Sequence, residues 1–134
     1  MNTIKVDVKE LKGTYLDYAV SLSQTSTKTF LEDGEVCYKV FSEEHGDFFN
    51  ELYEPSMDWS QGGPLIDKYQ VVFDTDPFSN SNQAPFHTQH GATIWARIPD
   101  TKTWFEGSTH LVAASKAVVA HVLGFSVDIP RELK

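Results

Sequence analysis

The sequence predicts an α+β domain with a mainly antiparallel sheet and two principal helices packed on one face. Two observations support this class. Short segments with strand-like alternation outnumber segments with helical spacing, and no regular strand–helix–strand order appears. The chain has 134 residues, which is the size of one ordinary domain, and no linker or internal repeat interrupts it. We therefore assign residues 1–134 to a single domain.

The first half of the chain is predicted to contain a strand, a helix and a hairpin. Apolar and polar residues alternate over residues 4–8, as in a half-buried strand. Residues 11–24 place their apolar side chains on one stripe, as in an amphipathic helix. The dipeptide Asp33-Gly34 is typical of tight hairpin turns, so residues 29–32 and 36–41 are predicted to pair as strands.

The second half is predicted to contain two helices and two short strands. Pro64 suits the first position of a short helix, because the N–H that it lacks is not needed there. A longer helix with a wide apolar stripe is expected between Thr109, a good N-cap, and Gly124, a good residue after a helix end. The polar residues 74–91 are interpreted as a long loop. The two strands are expected at residues 71–73 and 92–98.

The charge and cysteine content exclude several classes of protein. The net charge is −8 and the pI is about 4.9, so direct binding to the phosphate backbone of nucleic acid is disfavoured. A basic protein partner remains compatible with this charge. Cys37 has no second cysteine to pair with, which excludes an internal disulfide and fits a reducing compartment. No signal-peptide pattern or membrane-length apolar stretch is present, so we expect a cytoplasmic protein without a membrane partner.

The segment 58–64 is the first candidate ligand site. Two glycines allow the backbone to approach a ligand, and N–H groups at the start of a helix opened by Pro64 would attract an anion. The tryptophan offers a stacking face, and the Asp and Gln side chains can read a ribose or a base edge. The alternative is structural: the Asp caps, the Trp fills the core and the glycines turn the chain. The ligand-binding candidates are Asp58, Trp59, Gln61, Gly62 and Gly63.

Trp95 and Arg97 form the second candidate ligand site. They lie two residues apart in a predicted strand and therefore project from the same face, with Trp104 in the same strand–turn–strand unit. An aromatic ring beside a guanidinium suits a nucleotide base and its phosphate. The alternative is a Trp/Arg pair that packs across strands on the sheet surface.

No catalytic, metal or cofactor set emerges from the sequence. His87 and His90 have a spacing that would suit a metal only on a helix, and the neighbouring Pro85 and Gly91 oppose a helix. Cys37 has no histidine placed as an obvious base. We therefore predict no catalytic residues, no bound metal and no cofactor, and expect binding rather than catalysis.

Three blocks of the chain carry a family resemblance. Residues 53–66 follow the pattern Y-x-P-S-x-D-W-x-Q-G-G-P-I-I, with one change at Leu65, and residues 11–20 follow L-x-G-x-x-L-D-W-A-V. Residues 107–133 resemble a final helix followed by G-x-x-V-D-V-P-x-E-L. Together the blocks resemble the NinX-like family of small bacteriophage accessory proteins. Tyr18 stands where that family often has Trp, and His110 where it often has Pro. The resemblance implies a phage protein and assigns no activity.

These observations define three functional hypotheses. The main one is an anti-defence protein that acts in the host cytoplasm and sequesters a small nucleotide-like ligand in a pocket rimmed by Trp59, Gly62, Gly63 and Arg97. The alternatives are an acidic inhibitor that binds a host defence or nucleic-acid-binding protein, and a small nucleotide hydrolase. We also expect a homo-oligomer, because a second copy would cover the apolar surface of so small a domain.

Overall fold

The computed structural model describes residues 3–24, 28–77 and 93–133. The strands are β1 (Thr3–Asp7), β2 (Thr29–Glu32), β3 (Glu35–Ser42), β4 (Asp47–Leu52), β5 (Val72–Asp74), β6 (Ile94–Arg97), β7 (Phe105–Gly107) and β8 (Ser126–Pro130). The helices are α1 (Gly13–Ser23), α2 (Trp59–Tyr69) and α3 (His110–Leu123), and a 3₁₀ turn follows β1 at Val8–Glu10.

The predicted α+β class with antiparallel pairing is confirmed. The described strands form three small sheets, β1–β8, β2–β3–β4 and β5–β6–β7, where we expected one. The physical reason is the central pair of helices: α1 packs on α3, β3 packs on α1, and β6 and β7 pack on α3. The helices therefore separate the two three-stranded sheets. Within the described part of the chain, no helix is both long and apolar enough to cross a membrane.

The sheet β2–β3–β4 begins with the predicted hairpin. Asp33 and Gly34 have φ values of 52° and 80°, the pair of positive angles that a tight primed turn between twisted strands requires. Val36 and Tyr53 are buried on the side of the sheet that faces the core. By contrast, all six residues of β4 are exposed, so this strand extends away from the core.

The sheet β5–β6–β7 packs one face on α3. Ile94, Ala96 and Phe105 are buried there, whereas the alternate residues of the same strands point away from the helix. Gly107 permits the close approach, because a Cβ at this position would lie 2.5 Å from the backbone N of Ala113. The sheet is thus fixed to the best-packed helix of the fold.

Helix α3 begins and ends as predicted. The Thr109 side chain accepts a hydrogen bond from the Val112 N–H at 3.1 Å. Gly124 has a φ of 98° and donates its N–H to the Ala120 carbonyl, so it closes the last turn.

Helix α2 differs from the prediction. It begins at Trp59 rather than at Pro64, which is the sixth residue of the helix. The Asp58 carboxylate caps the helix by accepting a hydrogen bond from the Ser60 N–H at 2.8 Å. A proline at this position cannot donate to the Ser60 carbonyl, which normally weakens a helix.

The expected strand at 71–73 is observed as β5, one residue later. His87 and His90 lie outside the described residues.

Candidate functional site

The N-terminal turn of α2 is not an open anion cradle. The Ser60 N–H donates to the Asp58 side chain, and the N–H groups of Gln61 and Gly62 donate to the Asp58 carbonyl at 3.0 and 2.8 Å. The acidic cap occupies the position where a phosphate would bind, and its negative charge would repel one. The expectation that a helix start at Pro64 would attract an anion is therefore wrong.

The two glycines serve helix packing. A Cβ at Gly62 would collide with the Pro55 carbonyl oxygen and would lie 2.7 Å from Cδ2 of Leu111. Gly63 precedes a proline, a position where a Cβ disfavours helical backbone angles. Neither glycine has a positive φ. The glycines thus allow a proline-containing helix to pack closely, instead of turning the chain as the structural alternative predicted.

Trp59 lies on the surface. Its side chain is 60% exposed, and its ring centroid is 6.5 Å from that of His110. His110 in turn lies edge-on to Phe73, with 4.9 Å between the ring centroids. The structural expectation that Trp59 fills the core is therefore wrong, and the indole remains accessible.

Gln61 holds the end of β4 against α2. Its Oε1 accepts a hydrogen bond from the Glu54 N–H at 2.6 Å, and its Nε2 donates to the Leu52 carbonyl at 2.9 Å. Both amide atoms are thus engaged with backbone. Gln61 borders a cavity of about 320 Å³ that is also lined by Gln24, Tyr38, Tyr53, Pro64, Leu65 and Lys68.

Several polar groups around that cavity already bond to each other. The Tyr38 hydroxyl donates to Glu51, and the Gln24 amide bridges Lys68 and the Tyr69 hydroxyl. Burial raises the pKa of Tyr53 to about 12, with a further contribution from nearby Asp17. We interpret the hydrogen-bonded residues around this cavity as a structural contact between α2 and the β2–β3–β4 sheet.

Asp17 connects two of the blocks on which the family resemblance rests. Its side chain is only 4% exposed and accepts a hydrogen bond from the Ser56 N–H at 2.9 Å. Burial raises the pKa of Asp17 to about 6, although the Ser56 N–H acts in the opposite direction. The carboxylate thereby anchors the segment between β4 and α2 to helix α1.

Trp95 and Arg97 project from the same face of β6, as predicted. The Arg97 Nη1 donates to the carbonyls of Pro99 and Thr101, both at 3.2 Å, and its guanidinium carbon lies 5.2 Å from the Trp104 ring centroid. Arg97 therefore fixes the turn and packs against Trp104, which is the arrangement of the structural alternative.

A cavity of about 360 Å³ opens beside this pair. Its aromatic walls are Trp95, Trp104 and Phe105. Its charged groups are three lysines and one glutamate, so its local charge is positive in a chain of net charge −8. The remaining lining residue is Thr103, and the charged ones are Lys9, Lys102, Glu106 and Lys116. We call this site the lysine cavity.

Lys116 is a buried member of the lysine cavity. It projects from α3, and its Nζ donates to the Lys9 carbonyl at 3.0 Å. Burial lowers the pKa of Lys116, while Glu106 and Glu10 oppose that change. Lys102, by contrast, is exposed at the rim. The cavity thus combines a buried, hydrogen-bonded ammonium group with a solvent-exposed one.

The two predicted ligand-binding groups do not form one pocket. Trp59 lies near His110 and Phe73, and Phe73 pairs with Ala96 on the face of the sheet that packs on α3. Trp95 and Arg97 project from the opposite face. The expected pocket rimmed by Trp59, Gly62, Gly63 and Arg97 is therefore absent from the described residues.

Sequence reasoning missed the lysines of the cavity. Lys9, Lys102 and Lys116 come from the 3₁₀ turn, the turn before β7 and helix α3, so no local spacing connects them. The one available signal was Lys116, which is the only lysine, arginine or carboxylate residue in the largely apolar helix α3. Across the described ranges, no group of three His, Cys, Asp or Glu side chains is placed to hold a metal ion.

Charge is distributed unevenly between the two three-stranded sheets. Residues 28–54, which include β2, β3 and β4, contain eight carboxylates and two lysines, a net charge of −6 out of −8. We call this region the acidic sheet. The lysine cavity lies on the other three-stranded sheet.

The described residues thus form an α+β fold with a cationic, aromatic cavity. The family model described as bacteriophage P22 NinX matches residues 7–122, and the chain therefore belongs to the NinX family of bacteriophage proteins. The match ends within the last of the three resembling blocks, residues 107–133, and covers most of its helix but not residues 124–133. A search among curated proteins found no match.

Proposed function

We propose that this phage protein binds and sequesters a small nucleotide-like ligand in the lysine cavity. The observation that supports the proposal is the clustering of three lysines and two tryptophans around one cavity of an acidic protein. Ammonium groups attract phosphate, and indole rings stack on bases. The volume lies at the lower end of the range for small-molecule sites.

The proposal assigns a role to each part of the site. Trp95 and Trp104 provide stacking faces, Lys102 and Lys116 attract the phosphate, and Arg97 positions Trp104. Capture of a nucleotide signal in the host cytoplasm would protect the phage from a defence system that depends on that signal. Sequestration requires no turnover, and this agrees with the binding role expected from the sequence.

The test looks for a ligand that copurifies with the protein and for binding of added nucleotides. Small molecules released by denaturing the purified protein are identified by mass spectrometry, and the melting temperature is recorded with cyclic and ADP-ribose-type nucleotides. We expect a nucleotide to raise the melting temperature, and we expect Lys102→Glu and Trp95→Ala to abolish the increase. Trp59→Ala is the matched control, because it removes an accessible indole outside the cavity.

Two outcomes would reject the proposal. If no nucleotide is released and none raises the melting temperature, the protein does not sequester this class of ligand. If Trp59→Ala abolishes the effect and Trp95→Ala does not, the ligand binds at α2 instead. Circular dichroism of each variant establishes that it remains folded.

A further inference from the structure

The outer edge of β4 is open in the part of the chain that the structure describes. This strand is at the edge of the acidic sheet, where β3 is its only described neighbour, and all six of its residues are exposed. A strand edge carries N–H and C=O groups that can pair with another strand. It is therefore a potential docking surface for an extended segment.

The strand register identifies the outward backbone groups. The Tyr53 N–H donates to the Val36 carbonyl at 2.8 Å, and the pairing continues from Leu52 opposite Cys37 to Asp47 opposite Ser42. Backbone groups of alternate residues in an antiparallel strand point to the same side. The odd-numbered residues of β4 thus bond to β3, and its even-numbered residues direct their N–H and C=O groups outward.

Two of the outward groups already have partners. The Phe48 N–H donates to the Asp47 carboxylate at 2.7 Å, and the Leu52 carbonyl accepts from Gln61 at 2.9 Å. The N–H and C=O of Asn50 lie between these two positions. The open part of the edge is therefore short and centred on Asn50.

Aromatic side chains stand beside this edge. Phe41 and Phe48 lie edge to face, with 5.0 Å between their ring centroids, and they are 51% and 58% exposed. A strand paired at Asn50 would cover these rings with its own side chains. Burial of the rings would add apolar contact energy to the backbone hydrogen bonds.

The charge of the acidic sheet selects the occupant. A second copy of this chain would bring a further six net negative charges to the same edge, and repulsion would oppose that pairing. A segment rich in lysine or arginine would instead neutralise Asp47, Glu51 and the turn carboxylates Glu43 and Glu44. We propose that the β4 edge binds an extended basic segment of a partner protein by strand addition at Asn50.

The test uses two labelled peptides of about ten residues, one alternating valine and lysine and the other alternating valine and glutamate. We expect the lysine peptide to bind and to protect the Asn50 amide from hydrogen exchange. Equal binding of the glutamate peptide, or an unprotected Asn50 amide in the bound state, would overturn the proposal. The lysine cavity is on a different sheet, so this result is independent of ligand capture.

Variants separate strand addition from general charge attraction. Phe48→Ser removes an exposed ring, and Asn50→Pro removes the outward N–H. We expect each to weaken binding of the lysine peptide by about tenfold. Phe125→Ser is the matched control, because Phe125 is also 58% exposed and lies outside the acidic sheet, and we expect it to leave affinity unchanged.

Two further results would also overturn the proposal. Unchanged affinity in all three variants would mean that the peptide is held by net charge alone, and an equal loss in the Phe125→Ser control would mean that the effect is not specific to the β4 edge. Sedimentation could instead show a dimer that Phe48→Ser dissociates, and the occupant of the edge would then be a second copy of this chain. Circular dichroism checks that the three variants are folded.

Discussion

Both three-stranded sheets are antiparallel. They differ in how closely they pack against the helices and in their charge. The sheet β5–β6–β7 is packed on α3 through one face, and residues of this sheet, of α3 and of the 3₁₀ turn line the lysine cavity. The acidic sheet extends past the core, so that exposed aromatic rings and most of the net negative charge lie together. The difference shows that one antiparallel architecture can place a cationic cavity beside one sheet and leave an open strand edge on the other, within the residues that the structure describes.

The largest expected effect tests how differently the two sheets are packed against the helices. Phe105→Ala removes a buried ring between β7 and α3 and should lower the free energy of unfolding by about 3–5 kcal/mol. Phe48→Ala removes an exposed ring from the acidic sheet and should change it by at most about 0.5 kcal/mol. Urea denaturation followed by tryptophan fluorescence measures both, and similar losses would remove the proposed distinction between the sheets.

The next effect concerns Asp17, the buried carboxylate beside the acidic sheet. Its pKa of about 6 in the folded protein exceeds the ordinary 3.8, so the folded state binds the proton more tightly than the unfolded chain does. The wild-type protein should therefore lose stability as the pH rises from about 4 to about 6. Asp17→Asn keeps an acceptor for the Ser56 N–H without the charge.

We expect Asp17→Asn to stabilise the protein by up to about 3 kcal/mol above pH 6, because two pKa units correspond to that energy. The gain should be largely lost by about pH 4 and should disappear below about pH 3, where Asp17 is protonated in both states. Melting temperatures of both proteins across this range provide the measurement. A gain that is independent of pH would show that the carboxylate is not the titrating group.

The smallest effect concerns the junction between β4 and α2. Gln61→Ala removes two hydrogen bonds to backbone and should lower the free energy of unfolding by about 1–2 kcal/mol. Gln61→Glu keeps the acceptor for the Glu54 N–H and should lose less. Urea denaturation distinguishes the two, and equal losses would mean that the Leu52 contact dominates.

Local chemistry made part of the fold predictable. The Asp33-Gly34 turn, the Thr109 cap and the Gly124 helix end each depend on a few neighbouring residues, and each was found where the sequence placed it. The start of α2 was mispredicted because Gly62 and Pro64 are normally helix breakers. Gly62 packs closely against Pro55 and Leu111, and these are contacts that no local pattern reveals.

The candidate site was less predictable than the fold. Period-two spacing correctly placed Trp95 and Arg97 on one face. The lysines that give the cavity its charge come from three elements that meet only after α3 packs on the rest of the domain. The buried position of Asp17 could not be predicted, because helical spacing alone does not show that the segment after β4 packs over it.

The separation of charge by the two central helices makes the molecule an electric dipole. Under the two proposals its field would act before any contact forms: a nucleotide-like ligand would be drawn toward the lysine cavity and a basic segment toward the acidic sheet. The ligand and the partner protein would bind at different surfaces and would not compete with each other. Added salt shortens the reach of the field to about 8 Å at physiological ionic strength, so both encounter rates would fall together.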